Sequence, residues 1–300
     1  MTKVKKWPDR ALVGYVTAYG SHTPPNVTNE MIDQAIYHNY NVFVYAFGYI
    51  NESNEVSIPS GITEQDLHAQ IDKIHQHNGL ALISFGGQNN TFTPNSDPRS
   101  AALNTIEYCK KFNFDGIDLD LEDVQVTSRY VLTYIKEIRD IDSEIFITAA
   151  PQIHGGYGGP ASFEPNNIFT KQFLESARLS AVLVQEYNQR GGAVFDGLQD
   201  TDIGFISASY GPLTDLVPEC TKIIVGEPAT KEAAPAGGLF FPKDIVMDIE
   251  NGGRVLKSSQ YGGIMVWAIN YDSEQNWSFA KGVQPVVKQA DKSDLVLSEA

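Results

Sequence analysis

Short apolar segments rich in Val, Ile, Phe and Tyr recur along the whole chain. Their length and their β-branched and aromatic content are typical of buried strands. Eight such segments are visible, at residues 11–19, 42–50, 79–85, 116–122, 144–151, 180–187, 222–228 and 262–270. Amphipathic stretches with helical spacing lie between them, for example at residues 62–77, 99–112, 127–138 and 169–177. The pattern therefore predicts strands that alternate with helices.

Eight strand–helix units indicate an α/β fold, and the first choice is a closed (β/α)8 TIM barrel in a single domain. A doubly wound open sheet is the alternative. No Ser/Pro-rich linker and no block of like charges separates a second domain. We expect an N-terminal extension at residues 1–10, the barrel at residues 11–290 and a C-terminal tail at residues 291–300. Long loops at residues 153–165 and 229–238 would then lie at the carboxyl ends of the strands, where barrel active sites are built.

The composition excludes several classes of function. The 300 residues carry a formal net charge of -15, which argues against nucleic acid or an anionic membrane as partner, because both would repel the protein. No apolar run reaches the roughly 18 residues of a membrane helix. The basic start runs into Asp9 and Arg10 without an apolar core, so no secretory signal is visible. Cys109 and Cys220 fit no metal or disulfide spacing, and we expect two core thiols.

Three carboxylates alternate with apolar residues in the fourth apolar segment. On a strand, Asp118, Asp120 and Glu122 share one face, which would point into the barrel with Glu122 nearest the mouth. Burying three ionised acids is costly, so some must retain protons, and Glu122 is the natural general acid. Two alternatives stay open at this point: a solvated edge strand, and an oxygen-ligand site for a hard metal ion.

The same segment resembles the DGxDxDxE signature of the family 18 glycoside hydrolases, which comprise chitinases and related endo-N-acetylglucosaminidases. Further motifs follow in the order of that family. They are Ser84-Phe85-Gly86-Gly87 for SxGG, Gln185-Glu186-Tyr187-Asn188 for QxYN, Val225-Gly226-Glu227-Pro228-Ala229 for VGLPA, and Gly263-Ile264-Met265-Val266-Trp267 for the terminal strand. The resemblance covers roughly residues 11 to 280, and it makes the barrel at residues 11–290 a catalytic domain.

The resemblance implies a substrate-assisted, retaining mechanism without metal or cofactor. Glu122 would protonate the glycosidic oxygen, and Asp120 would orient the acetamide N–H and stabilise the oxazolinium intermediate. Asp118 would share a proton with Asp120, and Tyr187 would hydrogen-bond the acetamido oxygen.

The resemblance also implies a set of substrate-binding residues. Trp267 would form the apolar floor under the sugar, although a core Trp is the plain alternative. Asn188 replaces an Asp that is common in other branches. The full set is Trp267, Gln185, Asn188, Tyr15, Phe47, Ser84, Gly86 and Met265. Four further aromatic residues are candidates to extend the groove: Trp7, Tyr19, Tyr49 and Tyr157.

These features together predict a chitinase that hydrolyses β-1,4 linkages between N-acetylglucosamine units, with chitin or chitooligosaccharides as partners. One rival is an endo-β-N-acetylglucosaminidase that cuts the chitobiose core of N-glycans. Another is a catalytically silent lectin or inhibitor on the same fold. An extracellular location suits the predicted substrate, and without a visible signal the expectations are non-classical export, a shortened chain or a cytoplasmic protein.

Overall fold

Eight parallel strands form a closed barrel in the computed structural model, which describes residues 5–19, 24–58, 61–122, 125–156, 160–165, 167–189 and 193–288. Each strand pairs with the next, β5 pairs with β6, and β8 returns to pair with β1, so the sheet closes. The strands are β1 Ala11–Thr17, β2 Val42–Ile50, β3 Leu80–Gly86, β4 Gly116–Asp120, β5 Phe146–Ala149, β6 Ala181–Gln185, β7 Lys222–Pro228 and β8 Tyr261–Trp267. The predicted barrel is confirmed, and the open sheet is wrong.

Helices connect successive strands and cover the outside of the barrel. They are α1 Asn29–Tyr37, α2 Glu64–Gln76, α3 Pro98–Phe112, α4 Ser128–Ile141, α5 Lys171–Ala177, α6 Phe205–Leu216, α7 Pro242–Glu250, α8 Arg254–Lys257, α9 Ile269–Glu274, α10 Ser278–Gly282 and α11 Gln284–Val287. The first five each begin after a Thr or Asp whose side chain accepts a backbone N–H of the first turn. Such caps satisfy donors that the helix leaves unpaired, so the sequence sets these starts locally.

Two apolar clusters hold the barrel together. The larger one lies between the strands and the helices, and it contains the outward residues of β4 and the buried faces of the helices. The smaller one fills the barrel interior with residues such as Val13, Val44, Leu82 and Leu183. Both faces of each strand are therefore buried, which explains why the strands read as nearly continuous apolar runs.

The described part of the N-terminal extension closes the amino-terminal end of the barrel. Trp7 packs edge-on against Phe146 at the start of β5, with ring centroids 5.7 Å apart. The idea that Trp7 extends the groove is therefore wrong, because the groove lies at the other end of the barrel.

Cys109 is buried as expected, but Cys220 is exposed. Within the described residues, no helix is both long and apolar enough to cross a membrane.

Candidate active site

The acidic strand divides its side chains between the two clusters. Ile117 and Leu119 pack in the outer cluster against the helices. Asp118 and Asp120 point into the barrel and are 0% and 3% exposed. Glu122 follows β4 and lines the cleft at the carboxyl ends of the strands. The alternation thus produces a column of three acids that rises from the interior to the cleft, and a solvated edge strand is excluded.

Asp118 lies deepest and accepts hydrogen bonds from residues of three other strands. Tyr15 Oη and Ser84 Oγ donate to Oδ2 over 2.8 Å and 2.6 Å, and Thr148 Oγ1 donates to Oδ1 over 2.6 Å. Burial raises the pKa of Asp118, and the hydroxyl donors partly offset that rise. Thr148 was not predicted from the sequence, because only the register of β4 with β5 sets it opposite Asp118.

Asp120 lies between the other two acids. Its Oδ1 accepts a hydrogen bond of 2.9 Å from Gln185 Nε2, which also donates to the Ala150 carbonyl oxygen over 2.8 Å. Burial, followed by the charges of Glu122 and Asp118, raises the pKa of Asp120 well above its ordinary value, against a smaller lowering by Gln185. Adjacent buried acids cannot all ionise at little cost, so the ionisation of one acid in the column disfavours the ionisation of the others.

Glu122 is the most exposed member of the column at the cleft. Burial raises its pKa, and a hydrogen bond from the Gln185 amide partly offsets the rise. Its acid form consequently persists to a higher pH than that of an ordinary glutamate, as a proton donor requires. Burial also raises the pKa of the Tyr187 phenol well above its ordinary value, so Tyr187 stays a neutral hydrogen-bond donor at the cleft.

Two glycines let β3 approach the acid column closely. A Cβ built on Gly86 would lie 1.9 Å from the Asp120 carbonyl oxygen, and Gly86 has φ +119°. The Gly87 N–H donates to that same oxygen over 2.6 Å. A Cβ on Gly87 would lie 2.4 Å from the Phe47 ring. The backbone of β3 therefore fixes the position of Asp120, and only glycine fits there.

Replacing Gly86 by Ala should destabilise the protein by about 3 kcal/mol or more, because a steric clash adds to an unfavourable φ. The matched control is Gly252→Ala, since Gly252 also has positive φ, +63°, but no atom within 4 Å of the added Cβ. Its expected cost is about 1 kcal/mol, from the backbone alone. Urea unfolding measures both values. Equal losses in the two variants would contradict the close approach.

Aromatic rings from three strands form one wall of the cleft. Trp267 stacks on Phe47 with ring centroids 5.9 Å apart and an interplanar angle of 24°. Tyr15 tilts against Trp267 at 5.4 Å, and Tyr19 stacks on Phe47 at 6.2 Å. Trp267 is partly exposed at the cleft. Such a surface suits the C–H face of a pyranose ring.

The cleft has a volume of about 390 Å³, and seven of the predicted site residues line it. They are Phe47, Asp120, Glu122, Gln185, Tyr187, Asn188 and Trp267. Tyr15, Ser84, Gly86 and Met265, also predicted to bind substrate, do not line it. Met265 is 0% exposed and belongs to the interior cluster, whereas Tyr15 and Ser84 donate hydrogen bonds to Asp118 inside the barrel.

The structure adds residues to the cleft that sequence reasoning left unplaced or missed. Tyr19 and Tyr49 line it, whereas Tyr157 is outside the described residues. Lining residues that were not predicted are Gln88, Asn89, Thr91, Gln152, Glu232, Ala233, Pro235 and Tyr271. These residues follow different strands of the barrel, and their position after a strand was the only available signal.

Asn188 anchors the loop at residues 229–238 to the cleft. Its backbone N–H donates to the Gly237 carbonyl oxygen, and its Oδ1 accepts from the Ala236 N–H, both over 3.0 Å. Asn188 also has φ +59°, a conformation that Asn adopts more readily than most residues. Asn188, which the resemblance assigns to substrate binding, therefore also holds this loop at the cleft.

The metal alternative receives no support from the described residues, since no three His, Cys, Asp or Glu side chains in them are grouped to hold an ion. The acids of the column are instead bound by hydroxyl and amide donors from the protein.

Known proteins of one family resemble this chain in sequence. The family model "Glycosyl hydrolases family 18" matches residues 11–164. An endochitinase of Ziziphus mauritiana is 25% identical over 171 residues, which are 55% of this chain and 48% of that protein. An acidic endochitinase of Cucumis sativus is 26% identical over 218 residues, 73% of this chain and 62% of that protein. The match thus spans about half to three-fifths of the length of these two relatives.

Solved structures share the fold at low sequence identity. A family 18 chitinase from Chromobacterium violaceum has a TM-score of 0.78 and 18% identity, covering 95% of this chain and 85% of that chain. Concanavalin B has a TM-score of 0.68 and 17% identity, covering 92% and 98%. The xylanase and α-amylase inhibitor XAIP-II from Scadoxus multiflorus has a TM-score of 0.68 and 20% identity, with the same coverage. Because the family model matches just over half of the chain, this protein belongs to family 18 of the glycosyl hydrolases.

Proposed function

We propose that this protein is a chitinase that hydrolyses β-1,4 linkages between N-acetylglucosamine units with retention of configuration. The observation that carries the proposal is the column of Asp118, Asp120 and Glu122, which leads into a cleft walled by Trp267 and Tyr187. It combines a proton donor, a buried carboxylate for a developing positive charge and an aromatic surface for the sugar. A catalytically silent scaffold would gain nothing from burying three acids.

In the first step, Glu122 gives its proton to the glycosidic oxygen as the C1–O bond breaks. The acetamido oxygen of the sugar attacks C1 and forms a cyclic oxazolinium ion. The proton that Asp118 and Asp120 share passes to Asp118 in this step, so Asp120 is anionic, accepts the acetamide N–H and stabilises the positive charge. Tyr187 donates its hydroxyl proton in a hydrogen bond that orients the acetamido oxygen.

In the second step, a water molecule opens the intermediate. Glu122, now a carboxylate, accepts one proton of the water, and the hydroxide attacks C1 from the side that the leaving group vacated. The C1–oxygen bond of the oxazolinium breaks, and the acetamido group is restored. Two inversions at C1 give net retention, and Glu122 ends protonated for the next cycle.

Two rival functions share parts of this site. An endo-β-N-acetylglucosaminidase would use the same acids, but the curated relatives above are endochitinases, which favours chitin. A sugar-binding or inhibitory protein is the rival of another class, because concanavalin B and a xylanase inhibitor are structural neighbours. The retention of Glu122, Asp120 and Tyr187 together in the cleft favours the enzyme.

Product analysis by mass spectrometry tests the proposal. The protein is incubated with chitohexaose and, in parallel, with a high-mannose glycoprotein. Shorter chitooligosaccharides from the hexamer, with the glycoprotein unchanged, are the expected result. Glycan release with an intact hexamer would identify the N-glycan enzyme instead. No product from either substrate, together with measurable oligosaccharide binding, would identify a silent lectin.

A further inference from the structure

Two buried glutamates lie directly behind the cleft, on the side of the barrel that faces the helices. Gln185 of β6 pairs with Gly226 of β7, so Glu186 and Glu227 follow at the same level on neighbouring strands. Both are 0% exposed. Gln185 points inward to Asp120, so the next residue along the strand points outward. Since neighbouring strands are about 4.8 Å apart, the two carboxyl groups are within reach of each other.

Within the part of the chain that the structure describes, each carboxyl group has one donor and one oxygen without a hydrogen-bond partner. Ser209 Oγ of α6 donates to Glu186 Oε2 over 2.9 Å, and the Leu239 N–H donates to Glu227 Oε2 over 3.0 Å. Oε1 of both glutamates is buried without a hydrogen-bond partner among the described residues. A buried, unpartnered carboxylate oxygen is strongly unfavourable, and one proton shared between the two groups would relieve both.

The surroundings also favour a retained proton. Asp248 of α7 faces the pair, Asp200 faces Glu227 from the segment before α6, and the Tyr210 hydroxyl faces Glu186 from α6. No Lys or Arg ion pair with either glutamate occurs in the described part of the chain. Burial first, and neighbouring acids second, raise the pKa of Glu227 well above its ordinary value.

Residues next to the two glutamates contact Tyr187, which lines the cleft. Tyr187 directly follows Glu186 in the chain. A Cβ on Gly238 would lie 3.0 Å from the Tyr187 Cβ, so the backbone at Gly238 packs against the base of this tyrosine. The next residue, Leu239, is the one whose N–H Glu227 holds. One glutamate thus fixes the strand that carries Tyr187, and the other fixes the loop that supports it.

We propose that Glu186 and Glu227 share one proton and that this carboxyl pair positions Tyr187 at the cleft. The two residues occur in the motifs Gln185–Asn188 and Val225–Ala229, and Glu227 stands where the VGLPA run has Leu. When the shared proton is lost at alkaline pH, two adjacent negative charges repel each other. The ends of β6 and β7 then separate, and Tyr187 moves away from the substrate.

Unfolding equilibria measured from pH 5 to pH 9 test the shared proton in the full chain. Glu227→Gln keeps an oxygen for the Leu239 N–H and supplies an N–H for Glu186, so it mimics the protonated pair permanently. A carboxyl group with a raised pKa in the folded state stabilises most at low pH, and this contribution declines above the ordinary Glu pKa of about 4.3. The unfolding constant of the wild type should therefore rise, relative to the variant, by up to about tenfold per pH unit.

Glu219→Gln is the matched control, because Glu219 is exposed and the net charge changes equally. The unfolding constant of Glu219→Gln should change with pH in the same way as that of the wild type. If the ratio of the unfolding constants of the wild type and Glu227→Gln stays constant from pH 5 to pH 9, the proposal of a shared proton is wrong. If Glu227→Gln does not fold, Glu186→Gln carries the same test, because it also leaves one carboxylate and one amide.

The positioning of Tyr187 is tested by kinetics, and this arm alone rests on the proposed chitinase function. At pH 6, Glu227→Gln should have a kcat within about threefold of the wild type, with KM unchanged. As the pH rises, the ratio of its kcat to that of the wild type should increase, while KM stays equal. The general acid Glu122 is common to both proteins and cancels in that ratio. A constant kcat ratio beside a changing stability ratio would make the pair purely structural and overturn its positioning role.

Discussion

Replacing Glu122 by Gln should lower the hydrolysis of chitooligosaccharides by about 10²- to 10⁴-fold or more, because an amide cannot donate the proton that the leaving sugar needs. Oligosaccharide binding should persist, since the cleft walls are unchanged. The thermal midpoint should not fall, because the charge of Glu122 disfavours ionised Asp120, and Gln removes that repulsion. Initial rates, isothermal titration and thermal melts measure the three quantities.

The matched control for this variant is Glu232→Gln in the same cleft. Glu232 is exposed and lines the cleft, so the chemical change is the same and only its place differs. We expect a hydrolysis rate within about threefold of the wild type, because an exposed carboxylate that takes no part in the reaction contributes little. A comparable loss of activity in both variants would show that charge in the cleft, not proton donation by Glu122, controls the rate.

Replacing Asp120 by Asn should lower kcat by about 10²- to 10³-fold with a small change in KM. The reason is that the Asp120 carboxylate stabilises a positive charge that develops only after the glycosidic bond begins to break. Asn keeps an oxygen that can accept the Gln185 amide proton, so the side chain can stay in place. Steady-state kinetics on a chromogenic chitobioside separate kcat from KM.

Asp72→Asn is the control for Asp120→Asn, since Asp72 is exposed on α2, far from the cleft. Its kinetics should equal those of the wild type. An effect of Asp120→Asn confined to KM would assign Asp120 to ground-state binding and would contradict its role in stabilising the intermediate.

The local pattern of the chain was sufficient for the strands and several helices. β2 and β7 have the predicted boundaries, 42–50 and 222–228, and α2 and α5 lie within the predicted amphipathic stretches 62–77 and 169–177. These features depend on neighbours within a few residues. Strand alternation likewise predicted that Asp118, Asp120 and Glu122 share one face. Their placement together inside a closed barrel required the tertiary structure.

Contacts between distant strands could not be predicted in this way. Tyr15 donates to Asp118 across 103 residues of chain, and only the closed barrel brings them together. Met265 was assigned to the substrate, yet it is fully buried in the interior. A strand pattern shows that a residue faces inward, but not whether it lies at the mouth or below it. Height along the barrel is set by strand register, which depends on all eight strands.

The sequence by itself determined the alternation of strands and helices, the order of these elements and the acid-bearing strand, because hydrophobic periodicity and helix caps act locally. The tertiary structure alone decided which hydroxyl groups surround Asp118, why Gly86 must lack a side chain and that Glu186 lies beside Glu227. Each of these depends on two strands that are far apart in the chain and are brought into register only when the sheet closes. The chemistry of the site therefore begins with the sequence of β4 and is completed by its neighbours.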